Sequence, residues 1–281
     1  MGIQCSWQQA SCLFFMVIGI IDRAPSRRTP SMESPSSNKF YPLPCLLTCC
    51  SLFAGFYSLV AAINSHFYAA AVAILIAGVF DGLDGRVARM TGSTSHFGME
   101  LDSLCDLVSF GVAPALLAYL WALTPYGRYG WLAAFLFVAT TALRLARFNS
   151  QGEQPAHGHD FVGLPCPAAA AMIATTVMFC RFLGVTETVK HISILLFVYV
   201  LSYLMVSTHR YLSFKQINLS RTKKFQAVVG MLLLLILLAT EPPITLFAFF
   251  LIYILSGPAL AIREFLQKRY KSSRQDWAER S

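Results

Sequence analysis

Long apolar runs recur from about residue 45 to residue 262, divided by short polar segments. The runs are continuous. A membrane barrel would instead show short strands alternating apolar and polar residues, so helices that cross a membrane are predicted. Eight spans are expected, at roughly 43–63, 66–83, 98–123, 128–147, 164–183, 190–207, 224–240 and 243–263. Some carry small residues, as in AAAVAILIAG and PAAAAMIATT, which suit close helix packing in lipid. The expected fold class is an all-α polytopic membrane protein with about eight transmembrane helices.

The first 40 residues break this pattern. Cys12 to Ile21 is apolar but too short to span, and Asp22 ends it. The run RAPSRRTPSMESPSSNK that follows is polar and rich in Ser and Pro, which reads as a disordered leader. The opening MGIQCSWQQAS lacks the basic start of a signal peptide.

Composition agrees with the membrane reading. The chain is 56% hydrophobic and 13% charged, against about 25% charged in a soluble domain. No polar stretch is long enough to fold alone. The net charge of +8 is read as loop charge that orients the helices and meets anionic headgroups, not as a nucleic-acid surface. With the N-terminus in the cytoplasm, 19 of the 22 basic residues fall on the cytoplasmic side, and only Arg128, Arg181 and Lys190 lie opposite. The eight cysteines form no C-x-x-C pair and mostly sit in apolar segments, which argues against a disulfide framework or a zinc site.

The chemistry concentrates in one place. Asp81, Asp84, Asp102 and Asp106 lie in DGLDGRVARMTGSTSHFGMELDSLCD, in a chain with only 14 acidic residues. The first pair is three apart and the second four apart, so each pair shares a helix face. Carboxylates gathered at a membrane edge need a counter-charge. All-oxygen ligands favour magnesium, manganese or calcium over zinc. Two such ions would clamp the attacking and leaving oxygens of a phosphate displacement. Gly85 and Gly98 clear side chains from the path of a substrate, and the Arg89 guanidinium suits a phosphate.

These residues resemble the signature of the CDP-alcohol phosphatidyltransferase family, D-x-x-D-G-x-x-A-R-x8-G-x-x-x-D-x-x-x-D. Asp81, Asp84, Gly85, Ala88, Arg89, Gly98, Asp102 and Asp106 fill every fixed position. The resemblance covers about residues 43–206. It implies a six-helix core at 41–210; the apolar runs add two further helices at 211–263, and a charged cytoplasmic tail follows at 264–281. It also implies that a phosphatidyl group passes from a CDP-linked lipid to an alcohol, releasing CMP. By the same resemblance Asp81, Asp84 and Asp102 bind metal, magnesium or manganese. Asp106 contacts metal too and acts as general base. Gly85, Arg89, Gly98 and Ser95 hold the CDP part.

The flanking blocks ELDSLCDLVSFGVAPALLAY, ALRLARFNSQ and FVGLPCPAAA are similar to the phosphatidylserine synthase branch. That likeness implies CDP-diacylglycerol and L-serine as substrates and a homodimer, while the charge count places the site at the cytoplasmic face of the cell membrane. Glycerol 3-phosphate, inositol and choline are the alternative acceptors. A cation transporter is the alternative of another class, but the acids lie at one face and no internal repeat is seen. Arg144 and Arg147, beside Asn149, read either as ligands for a serine carboxylate or lipid phosphate, or as headgroup anchors. The first span departs from the branch's P-N-x-x-T pattern. Pro44 and Thr48 are kept, while Cys45 and Ser51 stand where Asn is common. Thr48 and Ser51 are the first-span candidates for the nucleotide. His96, His157 and His159 read as solvated loop residues.

Overall fold

A computed structural model of the chain describes residues 42–91, 96–150, 161–184, 192–207, 210–211, 230, 233, 236–237 and 240–259. The leader, Ser95, His157, His159, most of the expected seventh span and the tail lie outside them. The described part begins with α1 (Pro42–Ile63) and α2 (Phe67–Thr91). α3 (His96–Asp106) continues directly into a π-helical segment (Leu107–Val112) and then α4 (Ala113–Ala118). A second π-helical segment (Tyr119–Leu123) and a 3-10 turn (Thr124–Tyr126) complete this span. α5 (Arg128–Ser150), α6 (Cys166–Phe182), α7 (Ile192–Val206) and α8 (Pro242–Ala259) follow.

Five of these stretches are long and apolar enough to cross a membrane: Pro44–Ile63, Phe67–Ala88, Phe97–Tyr126, Arg128–Ser150 and Pro242–Ala259. α6 and α7 are apolar but shorter, at 17 and 15 residues. α6 is bounded by proline near its start and by Gly184, at φ +82°, beyond its end. The described residues are otherwise helical except for loops and one two-residue pairing. β1 (Phe161–Val162) and β2 (Arg210–Tyr211) run antiparallel, with Phe161 opposite Tyr211. Leu164 N–H donates to Leu204 O at 3.1 Å beside it. Gly163 makes this turn at φ +80°, where an added Cβ would sit 2.7 Å from Met205 O. Only glycine fits there without strain.

Two departures from regular α-helix have a chemical cause. Each π-helical segment is followed closely by a proline, Pro114 and Pro125. Proline lacks an N–H and crowds the carbonyl four residues back, and a widened turn relieves both. The first such turn begins at Leu107, immediately after Asp106.

α1 packs most extensively against α2. Ala61 and Ala62 on α1, and Ala70, Ala71 and Ala77 on α2, are all buried. Side chains this small let two backbones approach in lipid, where close packing replaces the hydrophobic effect as the attraction between helices. Ser58 Oγ donates to Ala70 O at 2.9 Å, and Ser51 Oγ donates to Ala77 O at 3.1 Å. From the third span, Ser109 Oγ donates to Ser51 O at 3.2 Å. Thr48, Ser51, Gly55 and Ser58 recur at three- and four-residue steps, so one face of α1 carries the whole seam. Large apolar side chains elsewhere on α1, including Phe53, Phe56 and Ile63, are exposed. A surface of that kind suits acyl chains. α8 docks through Phe247, which stacks on Phe179 of α6 at 4.5 Å between centroids, and through buried Ile254.

The seam is tightest at Gly55. A Cβ there would lie 2.8 Å from Ser109 Cα, whereas one on Gly78 would meet nothing nearer than 3.8 Å. Gly55→Ala is therefore expected to destabilise the protein by about 1–3 kcal/mol, the usual cost of overpacking. Gly78→Ala is expected to be neutral. Thermal unfolding of both variants in detergent compares them directly.

Candidate metal centre and transfer site

Asp81 and Asp84 lie on α2, which does not end at the motif. It runs on to Thr91, about two turns beyond Asp84. The residues RVARM that follow Gly85 include good helix formers and no proline, so the ladder continues. Asp102 and Asp106 occupy the last turns of α3. α1 holds both segments, so the two pairs face each other.

Asp81, Asp102 and Asp106 each bring one carboxylate oxygen into a group in which all three atoms lie within 4.8 Å of one another. The Asp81 and Asp106 carboxyls come within hydrogen-bonding reach. Asp84 stands just outside this trio and is the most buried of the four, at 5% exposure. Its Oδ2 accepts a hydrogen bond from Thr48 Oγ1 at 2.9 Å. Asp102 Oδ1 is buried and has no hydrogen-bond partner among the described residues.

This geometry is costly for the bare anions. Two unit charges 4.8 Å apart repel by roughly 3 kcal/mol at an effective dielectric near 20. A buried carboxylate oxygen without a donor adds a desolvation penalty. A divalent cation answers both problems at once. The donor set is oxygen-only and carboxylate-rich, which fits a hard ion of the magnesium or manganese type.

The other sequence candidates distribute unequally around this centre. Gly85 is exposed on α2, and a Cβ there would meet nothing within 4 Å, so the space beside Asp84 is open. Arg89 lies on the same helix, five residues past Asp84, and Gly98 lies on α3, four residues before Asp102. Thr48 and Ser51 are both buried, at 6% and 2% exposure. Their hydroxyls are engaged within the protein, on Asp84 and on Ala77 O.

Arg144 is half-buried on α5, whereas Arg147 and Asn149 are exposed. Arg144 lies within electrostatic range of buried Cys166 at the start of α6 and of Tyr253 on α8. Asp81 and Asp106 also lie within electrostatic range of Cys166. Arg144, Asp81 and Asp106 thus all belong to the electrostatic surroundings of Cys166. Asn149 Nδ2 donates to Ser103 Oγ at 3.0 Å, which ties the end of α5 to α3 one residue past Asp102. Sequence reading missed Tyr253, because a tyrosine in an apolar run carries no signal. It also missed the partnership of Thr48 with Asp84, which are 36 residues apart.

Comparison with known proteins bears directly on this arrangement. Residues 41–199 match the family model for CDP-alcohol phosphatidyltransferase, and all four aspartates fall inside that range. The chain is 36% identical over 220 residues to CDP-diacylglycerol–serine O-phosphatidyltransferase of Helicobacter pylori strain ATCC 700392 / 26695. That match spans 78% of this chain and 91% of the relative. A protein of the same name from Mycobacterium tuberculosis strain H37Rv is 41% identical over 145 residues, half of each chain. Archaetidylserine synthase of Methanothermobacter thermautotrophicus is 39% identical over 146 residues, covering 51% of this chain and 61% of the relative. With the full aspartate signature folded into one centre and the family model matched across most of the described helices, the chain belongs to the CDP-alcohol phosphatidyltransferase family.

Proposed function

We propose that this protein transfers the phosphatidyl group of CDP-diacylglycerol to L-serine, releasing CMP. The observation that carries the chemistry is the convergence of Asp81, Asp102 and Asp106 within 4.8 Å around an unpartnered Asp102 oxygen. The choice of serine is supported by the Helicobacter pylori relative, which matches 78% of this chain and is named for that acceptor.

Asp81, Asp84 and Asp102 hold a divalent cation, magnesium or manganese, and the size of the cluster suits two. When bound, the metal offsets charge on the diphosphate and lowers the proton affinity of the acceptor hydroxyl. Asp106 completes the set and takes the proton from the serine hydroxyl as its oxygen attacks the lipid-side phosphorus. The bond between that phosphorus and the oxygen of CMP breaks, and CMP carries the electron pair away. Gly85 leaves open space for the nucleotide beside Asp84. By their places in the family signature, Gly98 on α3 and Arg89 on α2 are assigned to the CDP part of the donor. Arg144 receives the serine carboxylate, and Arg147 remains a headgroup anchor. The site faces the cytoplasm, a reading supported by the 19 of 22 basic residues that fall on that side.

Purified protein given CDP-diacylglycerol is expected to release CMP only when serine and magnesium or manganese are present. Chelation should stop turnover and added metal restore it. CMP release driven equally by glycerol 3-phosphate, inositol or choline would overturn the assignment of serine. Asp106→Asn should lower kcat by about 10²–10⁴, the usual worth of a positioned base, while retaining CDP-lipid binding in a filtration assay. Arg144→Ala should raise the KM for serine by roughly ten- to a hundredfold, as expected for loss of a charge-assisted hydrogen bond. Arg147→Ala should change it much less, and steady-state kinetics at saturating lipid separates the two.

A further inference from the structure

Thr48 Oγ1 lies 2.9 Å from Asp84 Oδ2 and 3.0 Å from Pro44 O. A hydroxyl has one proton, so it serves these two acceptors in turn. Both Thr48 and Asp84 are nearly fully buried, at 6% and 5% exposure. Asp84 is also the one aspartate outside the 4.8 Å trio, and charge repulsion pushes it further out. A donor on α1 opposes that motion. A neutral donor does so without removing the negative charge that makes a carboxylate a good ligand, as Lys or Arg would. The second acceptor matters as well. If Asp84 turns toward a cation, the Thr48 proton returns to Pro44 O, four residues back on its own helix, and is never stranded.

We infer that Thr48 is the positioning residue for Asp84, holding its carboxylate in register with Asp81, Asp102 and Asp106 so that all four close on one metal centre. This rests on the metal site proposed above. It assigns Thr48 a role through Asp84, distinct from direct contact with the nucleotide.

The test is Mn²⁺ binding to the full chain in detergent without donor lipid, read from the electron paramagnetic resonance of free Mn²⁺. Thr48→Val keeps the shape and removes the donor. It should weaken Mn²⁺ binding by about tenfold or more, the usual cost of losing an outer-shell partner, and Thr48→Ser should restore most of it. Ser58→Ala deletes a neighbouring seam hydrogen bond that touches no aspartate, and it should leave Mn²⁺ affinity within about twofold of wild type, well short of that outer-shell cost. The inference is overturned if Thr48→Val binds Mn²⁺ like wild type, or if Ser58→Ala weakens binding as much. A rise in KM for CDP-diacylglycerol with unchanged Mn²⁺ affinity would also overturn it, in favour of direct contact. If Thr48→Val does not fold, Thr48→Ala is judged by the same criteria. Wild-type protein that binds no Mn²⁺ would overturn the metal site itself, and this inference with it.

Discussion

Carboxylates at a membrane edge repel one another and lose hydration, so the backbone that carries them must be held against that force. Here α1 does the holding. Its face of Thr48, Ser51, Gly55 and Ser58 grips α2 by hydrogen bonds to Ala70 O and Ala77 O, and grips the third span through Ser109. Three helices are thereby fixed in one register, and two of them bring the aspartates. Lipid offers no hydrophobic drive between helices, so small residues and short hydroxyl bonds supply the attraction. The alanines that line α1 and α2 serve the same end as the aspartates that follow them: they let the backbones come close enough for the carboxylates to meet.

The irregular helical turns belong to the same design. A widened turn begins immediately after Asp106 and places Ser109 and Gly111 in the interior. Regular α-helix through this stretch would conflict with Pro114. The turn reconciles that proline with a span that must both bear an aspartate pair at one end and cross the bilayer. Such turns often accompany functional sites, where they re-aim side chains at modest cost.

The side beside Gly85 is open, as a bulky nucleotide-linked lipid requires. Arg144 lies within electrostatic range of Cys166 and of Tyr253, and the three residues come from three different helices. α8 lies beyond the region matched by the family model, yet it packs on α6 through Phe247 and brings Tyr253 within electrostatic range of Arg144. The last described helix is thus packed against the core and is not a detached anchor.

Much of this was legible from the chain alone. Continuous apolar runs dictate membrane helices because an unpaired backbone is intolerable in lipid. The three- and four-residue steps of Asp81, Asp84, Asp102 and Asp106 put each pair on one face whatever the surrounding fold. Their register with Gly85, Arg89 and Gly98 carried the family. The sequence also marked Thr48, Ser51, Arg144 and Arg147 as polar residues worth explaining. It could not divide them, since a hydroxyl or guanidinium in an apolar run looks the same whether it meets a ligand, a neighbouring helix or the headgroups. Tertiary structure decided that Thr48 turns to Asp84, that Ser51 binds α2, and that Arg144 is half-buried while Arg147 is exposed. Those outcomes depend on the rotation of each helix about its axis and on contacts between residues far apart in the chain. Local periodicity sets neither; packing sets both.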